Sequence, residues 1–379
     1  MDFAFTEEQL AVAETATGLL SGQVTPDRVS ATELTDERVD RELWQALAGA
    51  DLLGLAVPEP QGGGGYGITE LSLLLQAQGA VVAPVPLWST LVLGALPLAR
   101  FGSEAQKDQW LPGVVAGDVM LSAALTGAAL SVRALPTVVA SPEGDGWVLN
   151  GTEQSVPQAH LAAMLLVPAR TTEDDVVVLL LDPTSPGVSL EQAVTTNREI
   201  HPHLHLADVH VGADGVLAGT DRGRNVLDTM LTAATIGLCA LQVGVCDAAL
   251  HQTATYLNGR EQFGRALSTF QGALLRAADA AIDIEAMRVT WLDAAWHFDT
   301  GRDATDAARV AKWQASERGQ RTVHATQHLH GGMGADITYP IHRYFLWGKQ
   351  IELLLGGPSR QLSALGARIA ARALAEVGQ

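Results

Sequence analysis

The stretch Gln327-His-Leu-His-Gly-Gly-Met-Gly-Ala-Asp-Ile-Thr-Tyr-Pro340 runs on into Arg343-Tyr-Phe-Leu-Trp347. Helical apolar spacing precedes it, so Gly331-Gly332 either caps a helix or lets backbone amides approach a ligand where a Cβ would intrude. An upstream segment, Arg260-Glu-Gln-Phe-Gly264, narrows that choice. Arginine can grip a pyrophosphate through paired charge-assisted hydrogen bonds that lysine does not imitate as well. Phe263 adds a flat apolar surface. Joined, the two segments are more specific than either alone.

The rest of the chain sets bounds on what such a site could serve. Its 379 residues are enough for two or three domains and a large core. Of these, 47% are hydrophobic and 17% charged, a globular rather than a disordered composition. A net charge of −18 argues against a nucleic-acid partner, which needs clustered lysine and arginine. Solubility is its ordinary explanation. Cys239 and Cys246 lie on one helical face about two turns apart, too far to bridge, and are expected to be buried thiols. The acidic N-terminus Met1-Asp-Phe-Ala-Phe-Thr-Glu-Glu lacks the pattern of a signal peptide, and no apolar run reads as a membrane span. A cytoplasmic location without membrane partners is the expectation.

Residues 1–119 read as helices, with Thr6 and Gln9 forming a capping box and Gly49 ending the helix begun at Arg41. Ile68 to Ala80 and Leu87 to Phe101 continue the pattern, and Ser103 caps the next helix. Between 120 and 213 the character is that of a β domain. Short apolar runs such as Thr137-Val-Val-Ala, Trp147-Val-Leu and Val176-Val-Val-Leu-Leu-Leu alternate with turn signals at Gly144-Asp-Gly, Asn150-Gly and Pro183-Thr-Ser-Pro-Gly. A C-terminal domain over 214–379 returns to the helical period, with long helices over Leu227 to Tyr256, Phe270 to Phe298 and Ala304 to His328.

Other motifs carry less. Gly62-Gly-Gly-Gly-Tyr-Gly67 matches GxGxxG literally but lacks a preceding strand and a following ribose-binding acid. His201, His203 and His205 would share a strand face and could ligate zinc, but an edge strand or loop where histidines meet solvent is the favoured explanation, and no metal is expected. Glu153, Asp228, Asp247 and Glu352 are isolated acids for which solvated faces or caps suffice.

The helix, sheet, helix order and the motifs at 260–264 and 327–347 resemble the acyl-CoA dehydrogenase family over essentially the whole chain. Pro58-Glu-Pro-Gln-Gly-Gly, Gly102-Ser-Glu-Ala-Gln-Lys-Asp-Gln-Trp-Leu-Pro and Asp145-Gly-Trp-Val-Leu-Asn-Gly151 are also similar to family sequence. The resemblance implies an α+β fold: an N-terminal helical domain, a middle β domain and a C-terminal four-helix bundle. It implies FAD, an acyl-CoA substrate oxidised to 2,3-enoyl-CoA, and an electron-transfer flavoprotein as acceptor. In the family a glutamate removes the α-proton while hydride leaves the β-carbon for the flavin.

Two departures bear on that chemistry. Where the resemblance places the glutamate, this chain has Gly356 or Ala234, and neither can accept a proton. Around the flavin ring, the family's loop and its Lys-x-Trp-Ile-Thr strand correspond to Thr126-Gly-Ala-Ala-Leu-Ser-Val and Glu153-Gln-Ser-Val-Pro157. Ser155 replaces the stacking tryptophan, Pro157 and Pro358 replace threonines, and His328 replaces a glutamine. What survives is the half that, in the family, reaches a neighbour's cofactor. The resemblance assigns Arg260 to the pyrophosphate, Phe263 and Phe270 to the adenosine side, and His328, Gly331 and Gly332 to close approach. This pattern is most similar to the base-lacking subunit of actinobacterial α2β2 enzymes acting on steroid side chains. It implies a homologous catalytic subunit as partner, a shared FAD, and an isolated chain without activity. The alternatives are a self-sufficient homomer using Asp228 or Glu352 as base, and a scaffold that touches no flavin.

Overall fold

A computed structural model describes residues 4–131 and 133–377. The helices α1 (Glu7–Gln23), α2 (Pro26–Thr32), α3 (Arg41–Gly49) and α4 (Ile68–Val81) come first. The Thr6 hydroxyl accepts from Gln9 N and the Gln9 side chain accepts from Thr6 N, so the expected capping box opens α1. Asp40 caps α3 through Leu43 N at 2.9 Å, and the helix closes after Gly49. The expected helix over Leu87 to Phe101 is mixed. A π-helical stretch, Trp88–Ala95, passes into α5 (Leu96–Phe101). Pro97 has no N–H for the carbonyl of residue 93, and the chain reaches it through this wider turn. Ser103 and Gln106 then form a second capping box at the start of α6 (Glu104–Val115).

The middle of the chain folds as β1 (Leu121–Ala123), the short α7 (Thr126–Leu130), β2 (Val139–Glu143), β3 (Gly146–Glu153), β4 (Met164–Arg170), β5 (Val176–Leu181), β6 (Val188–Glu191), β7 (His203–Val211) and β8 (Val216–Ala218). These strands form one mixed sheet in the order β6-β7-β3-β2-β4-β5-β8, with β1 pairing parallel to β4. Every residue of β5 is buried, as its unbroken apolar run requires, and Leu149, Val167, Leu179 and Val209 lie in the same core. Gly144-Asp145 makes the expected turn between β2 and β3. Asn150-Gly151 does not. It lies inside β3 at a register shift against β7, with Gly151 at φ +136°. The Asn150 side chain donates to Asp208 Oδ1 at 3.0 Å and accepts from Asp208 N at 2.9 Å, so cross-strand pairing overrides the local turn signal.

The helices α8 (Gly223–Gly259), α9 (Gln271–Asp299), α10 (Thr305–Leu329), α11 (Ile341–Leu353) and α12 (Pro358–Val377) complete the chain. Between α8 and α9 lies a small antiparallel hairpin, β9 (Glu261–Gln262) and β10 (Arg265–Ala266). Among the described residues α8 alone has the length and apolar composition to cross a membrane, against the expectation that no run does, and 83% of its apolar window is buried within the protein. That burial is the habit of a core helix. At the crossing of α4 and α8, a Cβ on Gly79 would meet Leu241 O at 2.3 Å and one on Gly244 would meet Gln76 O at 2.0 Å. Glycine at both positions is therefore a condition of that close approach. Contacts divide the chain into two compact units, one of the segments up to Val29, Ser72–Ala83 and Leu238 onward, the other of Ser30–Leu71 and Pro84–Gly237.

Candidate functional site

The residues singled out near 260 and 330 converge on one hollow. It measures 850 Å³ and is walled by Tyr256, Arg260, Phe270, Arg276, His328, His330 and the Gly331-Gly332 backbone, among others. Local structure explains the convergence. Arg260 follows the last turn of α8, and Leu267 N donates to its carbonyl, folding the chain back toward α9. On α9, Gly272, Ala273 and Arg276 share a face by their three- and four-residue spacing. From the other side α10 ends at Leu329, and Gly331 at φ +57° turns the chain out of the helix. Gly331 thus caps the helix and also borders the hollow. A Cβ on either Gly331 or Gly332 would meet nothing within 4 Å.

The polar inventory of this hollow is unbalanced. No carboxylate lines it, and neither the Arg260 nor the Arg276 guanidinium has a partner among the described residues. His330 is 1% exposed, and its ring stacks on Tyr256 with centroids 4.6 Å apart. Its Nδ1 donates to Thr326 O at 2.8 Å, while the buried Nε2 has no partner. Burial pushes its pKa below the usual histidine value, so the ring is neutral and Nε2 is an acceptor without a donor. A buried acceptor left in that state costs about 1–3 kcal/mol.

Phe263 is not part of the hollow's wall. It is 93% exposed and its ring packs edge-on against Phe270 at 6.2 Å. Arg265 lies over the Phe270 ring at 4.0 Å. Phe263 and Gly264, at φ +53° and +74°, form the two-residue turn joining β9 to β10. A phenylalanine in left-handed backbone with its ring in solvent is costly for a lone chain.

A second hollow of 740 Å³ continues between α9 and α10, and shares Arg276 and His328 with the first. Here Arg318 and Arg321 meet an acid. Asp283 accepts from Arg318 at 2.5 Å and also from Arg321, and Asp279 stands nearby.

The middle domain behaves differently at the segments compared above with the family's flavin bed. Glu153 is 1% exposed rather than solvated. Its carboxylate accepts from Gly127 N and from Thr137 Oγ1, each at 2.5 Å. Burial raises its pKa, and the hydrogen bonds from Thr137 and Gly127 oppose the rise. The Thr126 hydroxyl donates to Ser155 O at 3.3 Å, and Ser155 N donates to His203 Nδ1 at 3.1 Å. These segments satisfy one another, and position 157 is proline with no N–H to offer.

The four acids and the positions expected to lack a base are equally definite. Ala234 is fully buried, and its carbonyl accepts from Trp88 Nε1 at 3.0 Å. Gly356 has φ +93°, and a Cβ there would lie 2.8 Å from Arg360 Cγ. Asp228 pairs with Arg224 at 3.1 Å and Asp247 with Arg288 at 3.4 Å. Glu352 is buried and paired with Lys349. Beneath it, the fully buried Lys312 donates to Ile351 O at 2.9 Å and Glu352 O at 3.1 Å, with its pKa pushed down to about 8 by burial.

The remaining motifs resolve into structure. Gly62-Gly-Gly-Gly-Tyr-Gly67 follows a 3₁₀ turn rather than a strand, and Gly63 is packed so that a Cβ would meet Val57 O at 2.1 Å. Of the three alternating histidines, His201 lies before β7, buried, with Nε2 3.1 Å from Glu199. His203 and His205 share a strand face and hold separate partners, Ser155 and Glu191. Both cysteines are buried and free, and burial pushes the Cys239 thiol up to about 12.

Known proteins resemble this chain over nearly its whole length. The profile described as Acyl-CoA dehydrogenase, N-terminal domain, matches residues 6–118, and that described as Acyl-CoA dehydrogenase, C-terminal domain, matches residues 221–370. The chain is 36% identical to acyl-CoA dehydrogenase FadE27 of Mycobacterium tuberculosis, over 98% of this chain and 99% of that one. Among solved structures, the Tcur3481-Tcur3483 steroid ACAD superposes with a TM-score of 0.91 and 45% identity, covering 97% of this chain and 99% of its own. The ChsE4-ChsE5 complex of Mycobacterium tuberculosis gives a TM-score of 0.90 and 36% identity, covering 98% and 99%. This chain belongs to the acyl-CoA dehydrogenase family. Its helical, sheet and helical parts are those of that fold, and its relatives include steroid-directed and heteromeric members.

Arg276, His330 and Tyr256 escaped the sequence reading. Arg276 could have been found from its helical spacing to Gly272 and Ala273. Nothing local marks the unpartnered edge of His330, which depends on what surrounds it.

Proposed function

We propose that this chain is the base-lacking subunit of an FAD-dependent acyl-CoA dehydrogenase that forms a 2,3-enoyl-CoA from a bulky thioester. In this reading it pairs with a homologous catalytic subunit as α2β2 and completes that subunit's FAD site, with an electron-transfer flavoprotein as acceptor. The observation that carries it is the contrast between a hollow holding two partnerless arginines and a flavin-bed segment closed by Glu153. The hollow fits the adenosine diphosphate half of FAD: Arg260 would hold the pyrophosphate, Phe270 the adenosine side, and the backbone at Gly331-Gly332 permits close approach. Phe263 at the exposed turn would meet the partner. The middle domain of this chain does not fit the flavin ring, since Gly127 N–H is already used and residues 155 and 157 are serine and proline.

Bound FAD supplies the hydride acceptor, and the partner supplies the proton acceptor. This chain contributes binding. A glutamate at 356 would need a strained backbone and would crowd Arg360, and position 234 is fully buried. Asp228 and Glu352 are held in ion pairs, which weighs against a self-sufficient enzyme. A steroid side-chain thioester as substrate is supported by the relative named a steroid ACAD.

Co-expression with a homologous subunit tests this. Flavin should be found only in the complex, at one FAD per catalytic subunit, and the chain purified alone should be colourless and inactive. Arg260→Ala should weaken FAD retention by the complex about ten- to a hundredfold, the worth of a charge-assisted contact. A yellow, active chain on its own would refute the reading.

A further inference from the structure

The hollow has a second unpaired cation that the family resemblance does not assign. Arg276 projects from the α9 face that carries Gly272, Ala273, Asp279 and Asp283 at three- and four-residue steps. That face runs from the first hollow into the second, and Arg276 lines both. In the second hollow Arg318 and Arg321 both donate to Asp283, so each has a carboxylate partner there. In the first no acid lines the wall, and Arg260 and Arg276 are its two cations. In a chain of net charge −18, two exposed arginines on one wall that holds no carboxylate make this hollow locally positive and open to an anion. A second feature is independent of charge. His330 Nε2, buried beside the same hollow and unpartnered, is an acceptor for a hydroxyl or amine.

We propose that Arg276 is a second phosphate anchor, acting with Arg260 as a two-arginine clamp that selects a nucleoside diphosphate over a monophosphate. The assignment rests on the cofactor-completing reading for the identity of the nucleotide. Two arginines match two phosphates, and the nucleoside supplies the donor that His330 lacks. Both FAD and CoA carry an adenosine diphosphate, and the 3′-phosphate of CoA separates them.

Calorimetry with the full-length chain tests the clamp, using ADP, AMP and CoA as probes. The wild-type chain should bind ADP at least about tenfold more tightly than AMP, the worth of one charge-assisted contact. Arg276→Ala should bring that ratio close to one at an unchanged melting temperature. Arg276→Lys should restore part of it, since lysine keeps the charge but loses the fork. An Arg276→Ala chain that keeps the wild-type ADP-to-AMP ratio, or a wild-type chain that does not bind ADP at millimolar concentration, overturns the proposal. CoA binding more than about tenfold tighter than ADP would assign the clamp to a CoA tail and overturn FAD as its ligand. The cofactor-completing reading is judged separately, by flavin content of the co-purified complex with Arg260→Ala, and either can fail while the other stands.

Discussion

Two places in this molecule gather polar groups and treat them in opposite ways. At the start of α7, Gly127 N–H and the Thr137 hydroxyl are both taken by the buried Glu153 carboxylate. Around Arg260, Arg276 and His330, the guanidinium groups and one imidazole edge have no partner among the described residues. Buried polar groups are nearly always hydrogen-bonded, so the first place has no need of a ligand; at the second only the His330 edge is buried, and the exposed guanidinium groups are solvated and open to one. Under the proposed function the first corresponds to the family's flavin bed and the second to the half that receives a neighbour's nucleotide, and the contrast would then separate loss of a site from its retention.

The largest test of the contrast is in stability. Glu153→Leu would strand a buried N–H and a hydroxyl and should cost about 2–4 kcal/mol in urea unfolding. Arg260→Ala and Arg276→Ala, at exposed positions without protein partners, should stay within about 0.5 kcal/mol of wild type. Equal losses at the two places would erase the distinction. A smaller effect is its pH dependence. Burial raises the Glu153 pKa above 4.5, so the folded protein holds that proton where the unfolded chain has released it. The stabilisation is complete below pH 4.5 and is lost as pH rises through the folded value. Wild type should therefore lose stability relative to Glu153→Gln on going from pH 4.5 toward neutrality, and a flat difference would show the carboxyl is not desolvated. The smallest effect is at the hairpin turn. Phe263→Gly should stabilise the isolated chain by about 0.5–1 kcal/mol by relieving a left-handed phenylalanine, while weakening complex formation. Gain without loss of assembly would remove Phe263 from any interface.

Much of the fold was legible because its signals are local. Thr6 with Gln9 and Ser103 with Gln106 are capping boxes within four residues, and the β-branched apolar run of β5, set between turn signals, reads as an interior strand. The misses came where distant residues overrode a local sign. Asn150-Gly151 has the composition of a hairpin turn, but Asp208 on the neighbouring strand draws it into a bulge. Glu153 reads as a solvated acid until Gly127 and Thr137 enclose it. The apolar window of α8 exceeds what was expected, and its burial explains why it can.

Residue types and their spacing were enough to identify the family, the absence of a carboxylate at 234 and 356, and the arginine and glycine pair at 260 and 331–332, because these are facts about which groups exist. Which groups are free depended on tertiary structure. Arg276 and Arg318 are both arginines on neighbouring helices, yet Arg318 pairs with Asp283 and Arg276 pairs with no acid among the described residues. Hydrogen bonds and ion pairs act over a few ångströms, and only the folded chain sets those distances.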